Sequence, residues 1–171
     1  FNVALKFNQN INNWNVSNVE DLSKTFRYCK AFDQPLNDWD VSNVKNMQHI
    51  FADCENFNQP LDKWDTSNVE NMAYMFAYMD YNVLGQYSMT EFNSNLNNWN
   101  VSKVKNMIYM FACCTYFNQP LNKWDVSNVE DMFRMFDNCK KFNQPLNNWN
   151  VSNVTNMSGM FQVAESFNQP L

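Results

Sequence analysis

The chain has 171 residues and only two glycines, Gly85 and Gly159, so no glycine-rich loop is available to cradle a phosphate. Its net charge of −5 argues against nucleic acid as the main partner, because phosphate binding needs a basic face. Apolar residues make up 45% of the chain, enough for a core, yet they never run long enough to span a membrane.

From the N-terminus, F-N-V-A-L-K-F over 1–7 matches the second half of a repeat, as at 51–57. The phrase N-W-N-V-S-N-V or D-W-D-V-S-N-V then organises everything that follows. Its tryptophans are Trp14, Trp39, Trp64, Trp99, Trp124 and Trp149, at intervals of 25, 25, 35, 25 and 25 residues. A unit of this size cannot bury its own apolar face, so copies must stack on their neighbours. The predicted architecture is an α/β solenoid: a leucine-rich-repeat-like right-handed coil of about six 25-residue repeats. All of 1–171 forms one array. Neither end carries a polar capping repeat, so the array is expected to be a stretch of a longer one.

Within one repeat, 32–57, L-N-D-W-D-V predicts a short strand, because an aromatic and a β-branched residue alternate there. Pro35 suits the turn that enters it. The second half changes period: Val44, Met47, Ile50 with Phe51, Cys54 and Phe57 recur at three- and four-residue spacing, which predicts a short helix or 3₁₀ turns. Ser42 is the candidate N-cap, and Ser17 with Glu20, Ser67 with Glu70 and Ser127 with Glu130 complete capping boxes. The indole N–H groups need acceptors. The amide column Asn8, Asp33, Asn58, Asn93, Asn118, Asn143 and Asn168 could supply them, and is expected to bond turn backbone. A further column, Glu20, Lys45, Glu70, Lys105 and Glu130, alternates in sign and would resist a one-repeat slip.

The interval of 35 places ten extra residues inside a loop at 80–91, which carries Tyr81, Leu84 and Tyr87. Insertions in repeat arrays map to loops, often on a binding face, and tyrosine favours interfaces.

Catalytic and metal chemistry finds little support. His49 is the only histidine and has no paired nucleophile or second ligand. A serine repeated six times is better explained by turn chemistry than by catalysis. Cys29, Cys54, Cys114 and Cys139 share a register that elsewhere accepts Ala4, Met79 and Ala164, so they read as buried thiols. With five cysteines and no C-x₂-C pair, neither a disulfide framework nor zinc is expected. Asp40 beside Asp65 could attract calcium, but no calcium-loop signature accompanies them. No cofactor or metal is therefore expected.

The best candidate site is the column between Trp and Val: Asn15, Asp40, Asp65, Asn100, Asp125 and Asn150. On a strand it would face outward, about 4.8 Å from its neighbours, and Asn15, Asn100 and Asn150 each begin an N-V-S sequon.

The unit F-N-Q-P-L-N-x-W-[DN]-V-S-N-V-x-[ND]-M-x-x-M-F-x-x-[CA], near-consensus from Phe142 to Phe161, closely resembles the mycoplasma-type repeat of BspA-like leucine-rich-repeat surface proteins. The first copy departs at Asn10, Ile11, Leu22 and Thr25, and Ser94-Asn95 replaces Gln-Pro in the fourth. The resemblance implies no catalytic residues. It implies a non-enzymatic scaffold for protein–protein contact or adhesion, on a lipoprotein or wall-attached protein at the cell surface. Its partner would be a host or matrix protein, or a glycan. Similar arrays in large DNA viruses suggest the alternative, a structural component of a virion assembled in a reducing cytoplasm. End-to-end or lateral self-association fits that alternative.

Overall fold

The computed structural model describes residues 1–79 and 90–171; Tyr81, Leu84 and Tyr87 lie outside the described residues. For description the repeats are layers 1 to 6, covering 7–31, 32–56, 57–91, 92–116, 117–141 and 142–166. Among the described residues there is no helix and no extended strand. The regular elements are turns, joined by single parallel bridges along the column Asp21, Asn46, Asn71, Asn106, Asp131 and Asn156. The bridge column thus sits one residue before the Met, and the predicted Leu36–Val41 strand is a turn instead.

Layer 2 illustrates the geometry. Backbone bonds close four turns in succession: Trp39 N–H to Leu36 O, Val44 to Val41, Ile50 to Met47 and Cys54 to Phe51, at 2.9–3.1 Å. Each turn places its first and fourth residues inward, so apolar side chains recur every three residues without a helix. Two observations explain why no helix forms. His49 and Asp53 have positive φ, 58° and 59°, which a right-handed helix cannot accommodate. Alternate N–H groups also leave the layer: Met47, His49, Phe51 and Asp53 donate to Asn71, Ala73, Met75 and Ala77 O at 2.8–3.0 Å. A helix would need those donors for itself.

The left-handed position at His49 is repeated by Lys24, Tyr74, Tyr109, Arg134 and Gly159. It is the third residue of a turn, as in a type II turn, where glycine is favoured. Lys24 is exposed and its φ is 58°. Lys24→Gly is therefore expected to raise the unfolding free energy by about 1 kcal/mol, since a side chain in this region costs roughly 1–2 kcal/mol. Chemical denaturation of the two proteins checks this.

The core is a set of columns. Phe1, Phe26, Phe51, Phe76, Phe111, Phe136 and Phe161 stack with ring centroids 5.5–5.8 Å apart. A second column, Phe7 to Phe167, runs beside it at 5.8–6.4 Å. Leu36, Val41, Val44, Met47, Ile50 and Cys54 are all buried in layer 2. The indole acceptor is not the amide column: Trp39, Trp64, Trp99, Trp124 and Trp149 donate to the carbonyl of Ile11, Leu36, Leu61, Leu96 and Leu121 one layer back, at 2.8–3.1 Å.

The amide column does serve turn backbone. From Asn8 onward each side-chain oxygen accepts the backbone N–H of its counterpart in the next layer, at 2.9–3.1 Å. Prolines and side chains leave little backbone pairing on this half of the layer, so the asparagines replace it.

Candidate functional site

All six residues between Trp and Val are exposed. Each side chain is turned onto its own backbone: the Oδ1 of Asn15, Asp40, Asp65, Asn100, Asp125 and Asn150 accepts the N–H of the serine two residues on, at 3.0–3.2 Å. The serine hydroxyl adds a second bond at Asn15, Asp40 and Asn100, 2.6–2.7 Å. This is an Asx turn, and it revises the role of the serines. With no helix to cap, the predicted capping boxes do not form; serine donates to the turn instead. Hydrogen bonds from the Ser42 side chain and then its backbone hold the Asp40 carboxyl below the usual range, and Ser127 does the same for Asp125.

Beside this column, side chains are tied across layers. Lys63 pairs with Asp38 at 3.0 Å and does not neutralise Asp40. Asn12 also donates to Asp38, at 2.7 Å, and these two bonds, Lys63 first, lower the Asp38 pKa. Asn37 donates to Asp62 at 3.0 Å. Layers 2 and 3 consequently expose four carboxylates on one ridge, Asp38, Asp40, Asp62 and Asp65, against the single ammonium of Lys63. In layers 4 to 6 the same ridge carries Asn98, Asn100, Lys123, Asp125, Asn148 and Asn150. The ridge is therefore acidic in layers 2 and 3 and close to neutral in layers 1 and 4 to 6.

In the alternating column, Lys45 meets Glu20 at 2.8 Å with both side chains more than half exposed, and such a pair contributes little. Among the described residues no three His, Cys, Asp or Glu side chains converge as metal ligands, and no helix is long and apolar enough to cross a membrane.

The thiols are structural donors. Cys29, Cys54, Cys114 and Cys139 point at the carbonyls of Phe1, Phe26, Phe76 and Phe111, with Sγ 2.9–3.2 Å away. Burial pushes their pKa values up, and that of Cys113 to about 11. Such thiols stay protonated and are poor nucleophiles.

Two features had weaker signals in the sequence. A ladder of half-buried rings runs up the left-handed corner, His49 on Tyr74 at 4.4 Å and Tyr74 on Tyr109 at 4.9 Å. The trace in the sequence is a ring at the same repeat position in three successive copies. Layers 3 and 4 are joined by bonds of their own: Thr66 Oγ1 to Asn100 O, Lys103 Nζ to Asn68 Oδ1, and Ser94 Oγ to Asn58 O and Gln59 O, at 2.6–3.1 Å. These three residues replace repeat-typical ones at the boundary that also holds the 35-residue interval.

His49 is lowered to a pKa of about 4 by burial, then by Arg27 and Lys24. Because its folded pKa lies below the unfolded value near 6.5, its contribution is complete above pH 6.5 and is lost as pH falls toward 4. Discounted for partial solvation, the loss is expected to be about 1–2 kcal/mol. Unfolding free energies measured between pH 7 and 4 should lose that slope in His49→Asn, a residue that tolerates the left-handed φ.

Comparison with known proteins places the whole chain in one family. The model of a Mycoplasma protein of unknown function, DUF285, matches twice, over residues 1–85 and 85–171. No curated protein and no solved structure matches.

Proposed function

Starting from a chain that belongs to the DUF285 family over its whole length, we propose that it is a non-enzymatic solenoid scaffold for protein–protein contact or adhesion at a cell or particle surface. Contact is made through the ridge Asn15, Asp40, Asp65, Asn100, Asp125 and Asn150 and through the 80–91 loop. The BspA-like resemblance of the repeat supports the surface setting.

One observation carries the ridge assignment. Layers 2 and 3 concentrate four exposed carboxylates around one lysine; Asp38 and Asp62 are bonded across layers, whereas Asp40 and Asp65 bond within their own turns. Serine, cysteine and histidine chemistry is likewise committed to the turn, to carbonyls and to ring stacking, which supports a scaffold over an enzyme. The preferred partner surface is basic, and its association should weaken with salt.

Surface plasmon resonance of the chain over immobilised collagen, fibronectin and laminin tests this reading. Asp40→Asn with Asp65→Asn is a suitable probe, because asparagine forms the same Asx turn in layers 1, 4 and 6. Binding that falls at least tenfold in this double variant, or on deletion of 80–89, supports the assignment. Binding unchanged in both moves the site elsewhere. Absence of binding to all three, with regular self-assembly of the chain instead, favours the virion-component alternative.

A further inference from the structure

The chain contains five N-x-S/T sequons, at Asn15, Asn100, Asn150, Asn153 and Asn156, and the fold divides them into two classes. At Asn15, Asn100 and Asn150 the Oδ1 is held by the following serine, the residue is exposed, and the amide nitrogen donates no hydrogen bond. At Asn153 the same nitrogen donates to Ser127 O at 2.6 Å, and at Asn156 it donates to Asp131 Oδ2 at 3.4 Å.

We propose that Asn15, Asn100 and Asn150 are acceptor sites for N-linked glycosyl transfer onto the folded chain, and that Asn153 and Asn156 are not. The substrate class is a sugar activated as a diphosphate at its anomeric carbon. Asn Nδ2 attacks that carbon, the N–C bond forms as the C–O bond to the diphosphate breaks, and the leaving diphosphate takes the electron pair. One amide proton passes to the base of the glycosyltransferase. The turn suits this reaction because it fixes the amide oxygen and leaves the nitrogen outward.

Two further observations agree. Aspartate fills the same turn in layers 2, 3 and 5 with the same backbone bond, so the amide nitrogen has no structural duty and substituting it leaves the fold intact. No two acceptors occupy adjacent layers: they stand in layers 1, 4 and 6, about 14 and 10 Å apart at a parallel-strand spacing of about 4.8 Å. The inference rests on the hydrogen-bond state of each amide; because the three acceptors belong to the proposed contact ridge, sugar there would leave partner contact to the acidic stretch at Asp40 and Asp65.

The test is to incubate the folded protein with an oligosaccharyltransferase and a lipid-diphosphate-linked sugar, then map glycopeptides by mass spectrometry. A synthetic N-V-S peptide and the tryptic peptides of the same chain serve as positive controls. Expected is sugar on Asn15, Asn100 and Asn150 of the folded chain, at least tenfold less on Asn153 and Asn156, and modification of all five in the released peptides. Ser102→Ala should abolish transfer at Asn100 alone while the circular dichroism spectrum is unchanged. Transfer to Asn153 as readily as to Asn150, or no transfer to the folded chain while the peptide reacts, overturns the proposal.

Discussion

Trp124→Ala is expected to lower the unfolding free energy by about 3–5 kcal/mol, the range for emptying a buried aromatic site. Trp124 is 3% exposed, lies near Phe111 and stacks on Trp149 with centroids 6.4 Å apart. Its loss removes apolar burial and dispersion contacts with the layers on both sides. It also leaves Leu96 O without the indole donor now 3.0 Å away, and an orphaned buried carbonyl costs about 1–3 kcal/mol on its own. Trp124→Phe helps to separate the two contributions, because it removes the donor while keeping a smaller aromatic ring in the stack. The phenylalanine variant should lose about 1–3 kcal/mol. Urea titrations of both variants against the parent protein provide the comparison. Equal losses in the two would mean that the hydrogen bond, and not the packing, dominates.

Phe111→Ala should be comparably severe, at about 3–5 kcal/mol, and should also change the shape of the transition. Phe111 is fully buried and meets Phe76 of layer 3, Phe136 of layer 5 and Phe117, the first residue of layer 5, at 5.8, 5.5 and 4.2 Å. Stacked repeats are held by terms between nearest neighbours. A defect in layer 4 therefore weakens the coupling of layers 1–3 to layers 5–6, and a single cooperative step gives way to two. Tryptophan fluorescence and far-ultraviolet circular dichroism should then report different midpoints. The same substitution at Phe161, which is only partly buried, should cost less and leave one transition.

The inward columns and the repeat period were legible from the sequence because burial forces the same residue type into every copy. Phe51, Met47 and Trp64 could be assigned to the core without knowing the backbone path. The path itself was not legible. Apolar spacing of three suits a helix and a succession of four-residue turns equally, and the distinguishing fact is the positive φ at His49, Tyr74 and Tyr109. Residue type gave little warning there: tyrosine does not normally mark such a corner, and His49 is a single case of a residue type enriched in it. The expected capping box at Ser17 failed for the same reason. The amide column from Asn8 to Asn168 was read correctly as bonding turn backbone, because asparagine does so in any turn, but wrongly as the acceptor of the indoles. The Trp–Val column was read as exposed, but its engagement with serine depends on a turn that its strand-like alternation concealed.

Beyond the bonds of its own turns, each layer bonds to the layers directly above and below it, which makes the chain a graduated ruler under tension. Pulled from its ends, it should yield one layer at a time, and each event should free 25 residues, about 85 Å of extended chain at roughly 3.4 Å per residue. One event should be longer, because the interval from Trp64 to Trp99 holds 35 residues, or about 120 Å at the same reach. A force–extension trace would thus carry a single wide tooth among narrow ones, and its position in the series would tell from which end the stack comes apart.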